Sequence, residues 1–369
     1  MVVVNGVTVI VVELFPSGLP PQEPLYQAHT APDPNVPPDK PMVVELPSQI
    51  AGSPEMMIGD TVSSKENPEP MTRLTIAEPT IQVTFVINNS PFAGKEGTFV
   101  TSRQLRERLF REMETDVALR VAETESPDRF LVSGRGELHI GILIERMRRE
   151  GYEFQVGKPK VIYKEVDGQK LEPYEQVSIE VPDQFSGTII EKMGSRGAEM
   201  KNMRMHEGIT HLVFVIPTSR FFGFRSKFMT DTKGLGILNS IFSDYLPAVE
   251  LKPMPHGSIV SYEEGVSTAF ALENAQVRGT MFIGPATHVY RGQVIGRCSR
   301  DEDLEINICK KKELTNMRSS SSDGMVMLEP FKEMGVEDAL EYIADDELLE
   351  ITPKSIRIRK IEIAKRKGK

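Results

Sequence analysis

Cysteine is scarce. Only Cys298 and Cys309 occur in 369 residues, too few for a disulfide framework or for a zinc site, which needs about four ligands. That scarcity fits a reducing compartment, so the expected location is the cytoplasm. No stretch approaches the roughly 18 apolar residues of a membrane span. Val2–Val12 is apolar but has no basic segment before it and no clear cleavage site after it, and is not read as a signal peptide. Signatures of catalysis are missing as well. There is no Gly-x-x-x-x-Gly-Lys-Ser/Thr loop to cradle phosphates, no Gly-x-Ser-x-Gly elbow and no His-Glu-x-x-His pair. No catalytic, cofactor-binding or metal-binding residue is assigned. The formal net charge of −9 excludes a chain that is basic as a whole, while leaving room for local cationic patches.

What is present is ordinary for a soluble globular protein: 39% hydrophobic and 26% charged residues. At about 150 residues per domain the length predicts two or three domains. Prolines crowd the first fifty residues, and Pro16–Pro47 reads as an extended or disordered linker. Val2–Val12 reads as an edge strand left from a barrel, and Ile58–Val62 as a short strand.

From Pro79 the pattern becomes regular. Thr80–Ile87 alternates as a strand. Thr101 and Gln104 form a capping box, after which Leu105, Leu109 and Met113 recur at helical spacing. Val117–Ala122 and Arg129–Val132 read as strands. Glu137–Glu150 reads as a helix, with Leu138, Ile142 and Met147 as buried candidates, and Tyr152–Val156 closes the unit. The order β-α-β-β-α-β is the ferredoxin-like arrangement. A second such unit is expected: strand Glu175–Val181, helix Phe185–Gly194, strands Glu199–Met205 and Thr210–Ile216, helix Phe224–Thr230. Beyond Gly234 the chain reads as β-rich: Gly257–Phe270, Gly279–Phe282, Val289–Gly296 and Leu304–Ile308. One helix, Val336–Ile343, and a strand-like run, Ile356–Ile363, lead into a basic tail.

Several features invite a functional reading and a plainer one. His139 opens a helix and lacks the partners catalysis needs, so a packed or capping role is preferred. Ser133–Gly141 offers glycines before a helix, as an anion site does, but without a full fingerprint a tight strand-to-helix turn is preferred. Asp345–Glu347 reads as a solvated acidic helix end rather than a metal site. Arg103, Arg106, Arg108 and Arg111, with Arg146, Arg148 and Arg149, lie among glutamates, and intrahelical pairing is preferred. Phe221, Phe222 and Phe224 lie beside Arg220 and Arg225, where stacking on bases competes with a preferred place in the core. Two clusters have few acids to dilute them: Lys310, Lys311 and Lys312 with Arg318, and the tail beginning with Lys354, Arg357, Arg359 and Lys360. Such cations suit RNA phosphates, and a solvated basic loop competes evenly with that reading.

Longer motifs go beyond pattern. Ser90-Pro-Phe-Ala-Gly-Lys-Glu-Gly97, Thr101-Ser-Arg-Gln-Leu-Arg-Glu-Arg-Leu109, Phe130-Leu-Val-Ser-Gly-Arg-Gly-Glu-Leu-His139 and Met147-Arg-Arg-Glu-Gly-Tyr-Glu153 resemble the TypA/BipA family of translational GTPases. So do Glu172-Pro-Tyr174, Phe228-Met-Thr-Asp-Thr232, Leu314-Thr-Asn-Met-Arg318 and Thr352-Pro-Lys-Ser-Ile-Arg-Ile-Arg-Lys360. The resemblance runs in order from about Gly52 to the C-terminus. It implies an α+β chain with a barrel remnant over 51–77 after an irregular segment 1–50. Ferredoxin-like domains like those of elongation factor G follow over 78–158 and 159–245, and a family-specific domain over 246–369. It further implies a monomer that binds the ribosome, contacts ribosomal and transfer RNA and serves large-subunit assembly and stress adaptation, with no membrane partner. RNA contact is carried onto Lys310, Lys311, Lys312 and Arg318.

Two departures stand out. The family's GTP- and Mg²⁺-binding residues have no counterpart here, so this chain alone is expected not to hydrolyse GTP. The alternative is that it works as part of an active GTPase whose G domain lies upstream or on another chain. Also, Pro217–Arg225 departs from a pattern resembling Pro-x-Arg-Gly-Leu-x-Gly-Phe-Arg. Arg220 in place of its glycine predicts a strained turn.

Overall fold

The fold was taken from a computed structural model. It describes residues 78–249, 256–311 and 328–362, together with three strands nearer the N-terminus. Those strands, β1 (Val2–Val4), β2 (Val7–Val11) and β3 (Thr61–Ser63), make one small sheet, with β2 antiparallel to β1 and parallel to β3. Where one strand is expected over Val2–Val12 there are two, and among the described residues the sheet does not close into a barrel. The Pro16–Pro47 segment lies outside the described residues. Residues 1–75 form one compact unit and 76–369 another.

The second unit opens with β4 (Ile81–Ile87), α1 (Ser102–Thr115), β5 (Arg120–Glu123), β6 (Arg129–Gly134), α2 (Glu137–Arg149) and β7 (Phe154–Val156). Sheet order β7-β4-β6-β5, antiparallel throughout, is the ferredoxin-like arrangement. Alternation along β4 buries Ile81, Val83 and Phe85 against Leu105 and Leu109 of α1 and Ile140, Leu143, Ile144 and Met147 of α2. The Thr101–Gln104 capping box forms. On α2, however, Leu138 and Ile142 are 45% and 43% exposed. The helix is apolar on more than one side, and the sheet selects the stripe through Ile140, Ile144 and Met147 instead.

A short strand β8 (Lys160–Val161) returns to β4, and β9 (Lys164–Val166) pairs with β10 (Gln169–Pro182). Then come α3 (Asp183–Ser195), β11 (Glu199–His206), β12 (Ile209–Pro217), α4 (Thr218–Phe221), α5 (Phe224–Asp231) and β13 (Ile237–Pro247). Their order, β11-β12-β10-β13, repeats the ferredoxin-like pattern. Val177, Ile179, Leu212, Phe214 and Ile216 pack on Ile189, Met193, Phe224 and Phe228. Arg220 lies within α4, and the left-handed φ of +66° falls on Gly223. The strain expected at Arg220 therefore does not arise. The Arg196 guanidinium donates to the carbonyls of Arg220 (2.9 Å) and Phe222 (2.7 Å) and steadies the turn.

The remaining elements are β14 (Ser258–Ser261), β15 (Gly265–Val266), α6 (Ala269–Gln276), β16 (Gly279–Met281), β17 (His288–Val289), β18 (Gln293–Cys298), β19 (Leu304–Ile306), α7 (Val336–Tyr342), β20 (Glu347–Ile351) and β21 (Ile356–Lys360). Strands β19-β14-β18-β21-β20 continue directly into β7-β4-β6-β5. The join is antiparallel pairing of Leu349, Glu350 and Ile351 with Val156, Gln155 and Phe154. An edge strand that would otherwise present unpaired amides is thus covered. One core runs through the join, where Phe85, Leu109 and Ile144 share a cluster with Leu349, Ile351, Ile358 and Leu340.

Candidate nucleic-acid interface

Two of the longer motifs meet on the polar face of this join. Residues 88–97 cross it as a strap, held by two buried carboxylates. Glu153 accepts from Asn88 Nδ2 (2.6 Å) and from the backbone N–H groups of Gly94 and Gly97 (both 2.8 Å). Glu350, wholly buried, accepts from Ser90 Oγ (2.7 Å), Asn88 Nδ2 (3.0 Å) and the Tyr290 hydroxyl (2.6 Å). Buried charges persist only when so satisfied. Gly97 has to be glycine because a Cβ there would collide with the Glu153 side chain. Burial, then the neighbouring Glu350 carboxylate, drives the Tyr290 hydroxyl pKa far above its ordinary value.

Glu96 completes the strap by reaching Thr352, Ser355 and Arg357. Its burial opposes the charge, but the Thr352 hydroxyl and the Arg357 guanidinium outweigh that and hold its pKa below the usual carboxylate range. The β20–β21 turn is closed by Thr352 and Ser355, whose backbone and hydroxyl groups bond each other at 2.9–3.0 Å. Arg148 Nη1 adds a bond to the Pro353 carbonyl (3.0 Å).

This network sorts the cations of the tail. Arg357 (11% exposed side chain) lies against Glu96 and Glu350. Lys360 (10%) lies among Asp303 (2.6 Å), Asp346 (2.9 Å) and Glu347 (3.0 Å). Burial works against its ammonium, but these hydrogen bonds win and keep its pKa above the ordinary lysine value. Both side chains are therefore engaged inside the molecule, where the sequence reading turns them outward. Alternation explains Lys360, which follows Ile358 to the face opposite Arg357 and Arg359. Lys354 is exposed at the tip of the turn. Arg359 is half-buried, donates to Asn89 Oδ1 (2.7 Å) and meets no carboxylate among the described residues. The strap adds a cation that pattern reading passed over: Lys95 is exposed and sits 4.3 Å from the centroid of the Phe92 ring. The Ser90–Gly97 motif contained it, but nothing in sequence spacing separates it from its engaged neighbour Glu96.

Lys310 and Lys311 are exposed, and Lys312 and Arg318 lie outside the described residues. The stem below Lys310 is fixed. Ile308 is buried, Asn307 bonds Glu263 (2.9 Å), and Thr268 at the N-cap of α6 donates its hydroxyl to the Lys310 carbonyl (2.6 Å).

The other candidates take the plainer reading in most cases. His139 bonds Asp116 (2.6 Å) and accepts from the Arg135 N–H (3.2 Å). Arg103 pairs with Glu107, Arg108 with Glu112 and Glu150, and Arg148 and Arg149 with Glu145. Phe224 is in the core. Asp345–Glu347 is not simply solvated: Asp346 and Glu347 serve Lys360, while Asp345 lies 3.6 Å from Lys158. No group of three or more potential ligands fit to hold a metal occurs among the described residues, and no helix there is long and apolar enough to cross a membrane.

Comparison with known proteins finds three matched segments. Residues 98–158 match the model of elongation factor G domain III, 169–253 that of the elongation factor G C-terminus, and 256–365 that of the TypA/BipA C-terminal domain. A large ribosomal subunit assembly factor BipA from Synechocystis sp. is 52% identical over 314 residues, covering 85% of this chain and 53% of the relative. Proteins of the same name from Escherichia coli K12 (49%; 84% and 52% covered) and Bacillus subtilis (45%; 84% and 51%) are similar over the same length. The chain spans about half the length of the curated relatives it matches.

Proposed function

The chain belongs to the TypA/BipA family, and from that premise we propose that it is the ribosome-facing part of a factor that serves assembly of the large ribosomal subunit. Its role is to bind rather than to react. Exposed cations, Lys310, Lys311, Lys354 and Lys95, with the half-buried Arg359, take up phosphates of ribosomal RNA, and Lys312 and Arg318 are assigned to contact with transfer RNA. The observation that carries this reading is identity of 45–52% across some 84–85% of the chain to proteins named for that assembly role. The partition of cations supports it, because those without a carboxylate partner are the ones available to phosphate. A part in stress adaptation and a cytoplasmic, monomeric state belong to the same proposal.

A second reading is favoured by the relatives being about twice as long: these residues act together with a GTP-hydrolysing domain and position it on the ribosome. The two readings share their RNA contacts. Reversing the charge at Lys310, Lys311 and Lys312 together should lower co-sedimentation with purified large subunits by on the order of tenfold at physiological salt. Unchanged co-sedimentation would remove the basis of the proposal.

A further inference from the structure

Three domains meet at one glycine. Gly223, in the turn between α4 and α5 of the second ferredoxin-like domain, is buried and left-handed, with φ +66°. Its N–H donates to Oε2 of Glu137, the first residue of α2 in the first such domain, at 3.5 Å. From the third side comes Glu341 of α7, whose carboxyl group fills the space that a Cβ on Gly223 would need. Phe222 packs away from its own domain, on the core cluster that holds Ile140 and Leu340. Ser226 Oγ donates to Asp338 Oδ1 (3.4 Å). Among the described residues no strand of the second sheet pairs with the nine-strand path. Phe222, Gly223 and Ser226 thus seat the second domain on α2 and α7.

The charges at this seat are not balanced. Two half-buried carboxyl groups, Glu137 and Glu341, converge on Gly223, and among the described residues neither makes an ion pair. The cations near them are engaged or turned to water. Arg196 is spent on the carbonyls of Arg220 and Phe222, Arg225 reaches the Leu238 carbonyl (3.4 Å), Lys332 pairs with Asp338 (3.1 Å), and Lys227 is exposed. Glu337 and Asp338 of α7 add negative charge from the same side. Two carboxylates so placed repel, and the pair is driven to keep a proton. Burial, with the repulsion of Glu341 and Glu337, accordingly pushes the Glu137 carboxyl up to about 7, and burial raises Glu341 as well. Away from α7, a carboxylate at the N-terminus of α2 is favoured in its ionised form.

We propose that this seat is a pH-sensitive latch: with a proton held between Glu137 and Glu341 the second ferredoxin-like domain is docked on α2 and α7, and loss of that proton frees it to swing away while each domain stays folded. The docked state keeps a proton that the undocked state gives up above about pH 4.5. Docking is therefore fully present below that pH and is lost progressively as pH rises to about 7. The latch governs how the domains are placed relative to one another and does not depend on the chain being an RNA binder.

Amide hydrogen exchange of the full chain at about pH 6 and about pH 8.5, corrected for the intrinsic pH dependence of exchange, tests it. Peptides covering 219–226 and 336–342 should lose protection by on the order of tenfold at the higher pH, while those of β4 and β12 keep theirs. Glu137→Gln and Glu341→Gln should each abolish the change, and Phe222→Ala should expose both segments at either pH. Equal protection of the parent at the two pH values would overturn the proposal. A pH response in Glu137→Gln as large as in the parent would place the proton elsewhere and defeat it too. Loss of protection in β4 and β12 together with the seat would mean that pH acts on folding as a whole, and that no latch exists.

Discussion

At the scale of single residues, the exposure of a cation decides its role. Lys360 and Lys354 stand six positions apart in one basic run, yet Lys360 is held by three carboxylates and Lys354 by none among the described residues. Removing Lys360 leaves the buried Glu347 carboxylate uncompensated, a loss of up to about 3–5 kcal/mol, while Asp303 and Asp346 stay in contact with water. Lys360→Met should therefore lower the urea midpoint strongly while leaving RNA affinity per folded molecule unchanged. A stable variant with weakened RNA binding would reverse the assignment. The sequence could not make this distinction, because Asp303, Asp346 and Glu347 reach Lys360 across 13 to 57 positions of chain and only the fold brings them together.

Elements were legible where pattern and local chemistry agreed. The Thr101 capping box, the alternation along β4 and the helix over Phe224–Asp231 follow from their own residues. Helix α6 did not stand out from the β-rich stretch around it. It spans eight residues, and its buried Ala271, Leu272 and Ala275 are too few to establish a period. The misplaced stripe on α2 has the same origin: several apolar stripes are drawn on one helix, and tertiary packing picks among them. The N-terminus of α2 also has a property no local pattern predicts. Burial, despite the N–H of Gly223 at 3.5 Å and with repulsion from Glu341 and Glu337, pushes the Glu137 carboxyl up to about 7. Arg225 on α5 offsets only part of this. The folded protein thus keeps a proton that the unfolded chain gives up above about pH 4.5. Stability is fully present below that pH and declines as pH rises through about 7. Glu137→Gln should remove this dependence and raise stability at pH 8 by on the order of 2 kcal/mol. Urea titrations at pH 5 and pH 8 measure it, and equal pH responses in the two proteins would refute the burial argument.

Across the whole molecule, a formal charge of −9 coexists with cationic surface because the acids and bases are not distributed alike. Glu350, Glu153 and Glu347 are buried as hydrogen-bond acceptors at the join of the two sheets, while Lys95, Lys310, Lys311 and Lys354 face solvent. Net charge therefore says little about which cations face solvent, and the architecture that sorts them, a strap over a continuous nine-strand path, was not visible in either motif alone. The most direct test follows the affinity of the chain for large-subunit ribosomal RNA as salt is raised. Affinity should fall linearly on logarithmic axes, with each of Lys310, Lys311 and Lys354 contributing about 0.7–0.9 to the slope when replaced singly by glutamine, and Lys360 contributing nothing. A slope that is flat, or that changes only on replacing Lys360, would contradict the account.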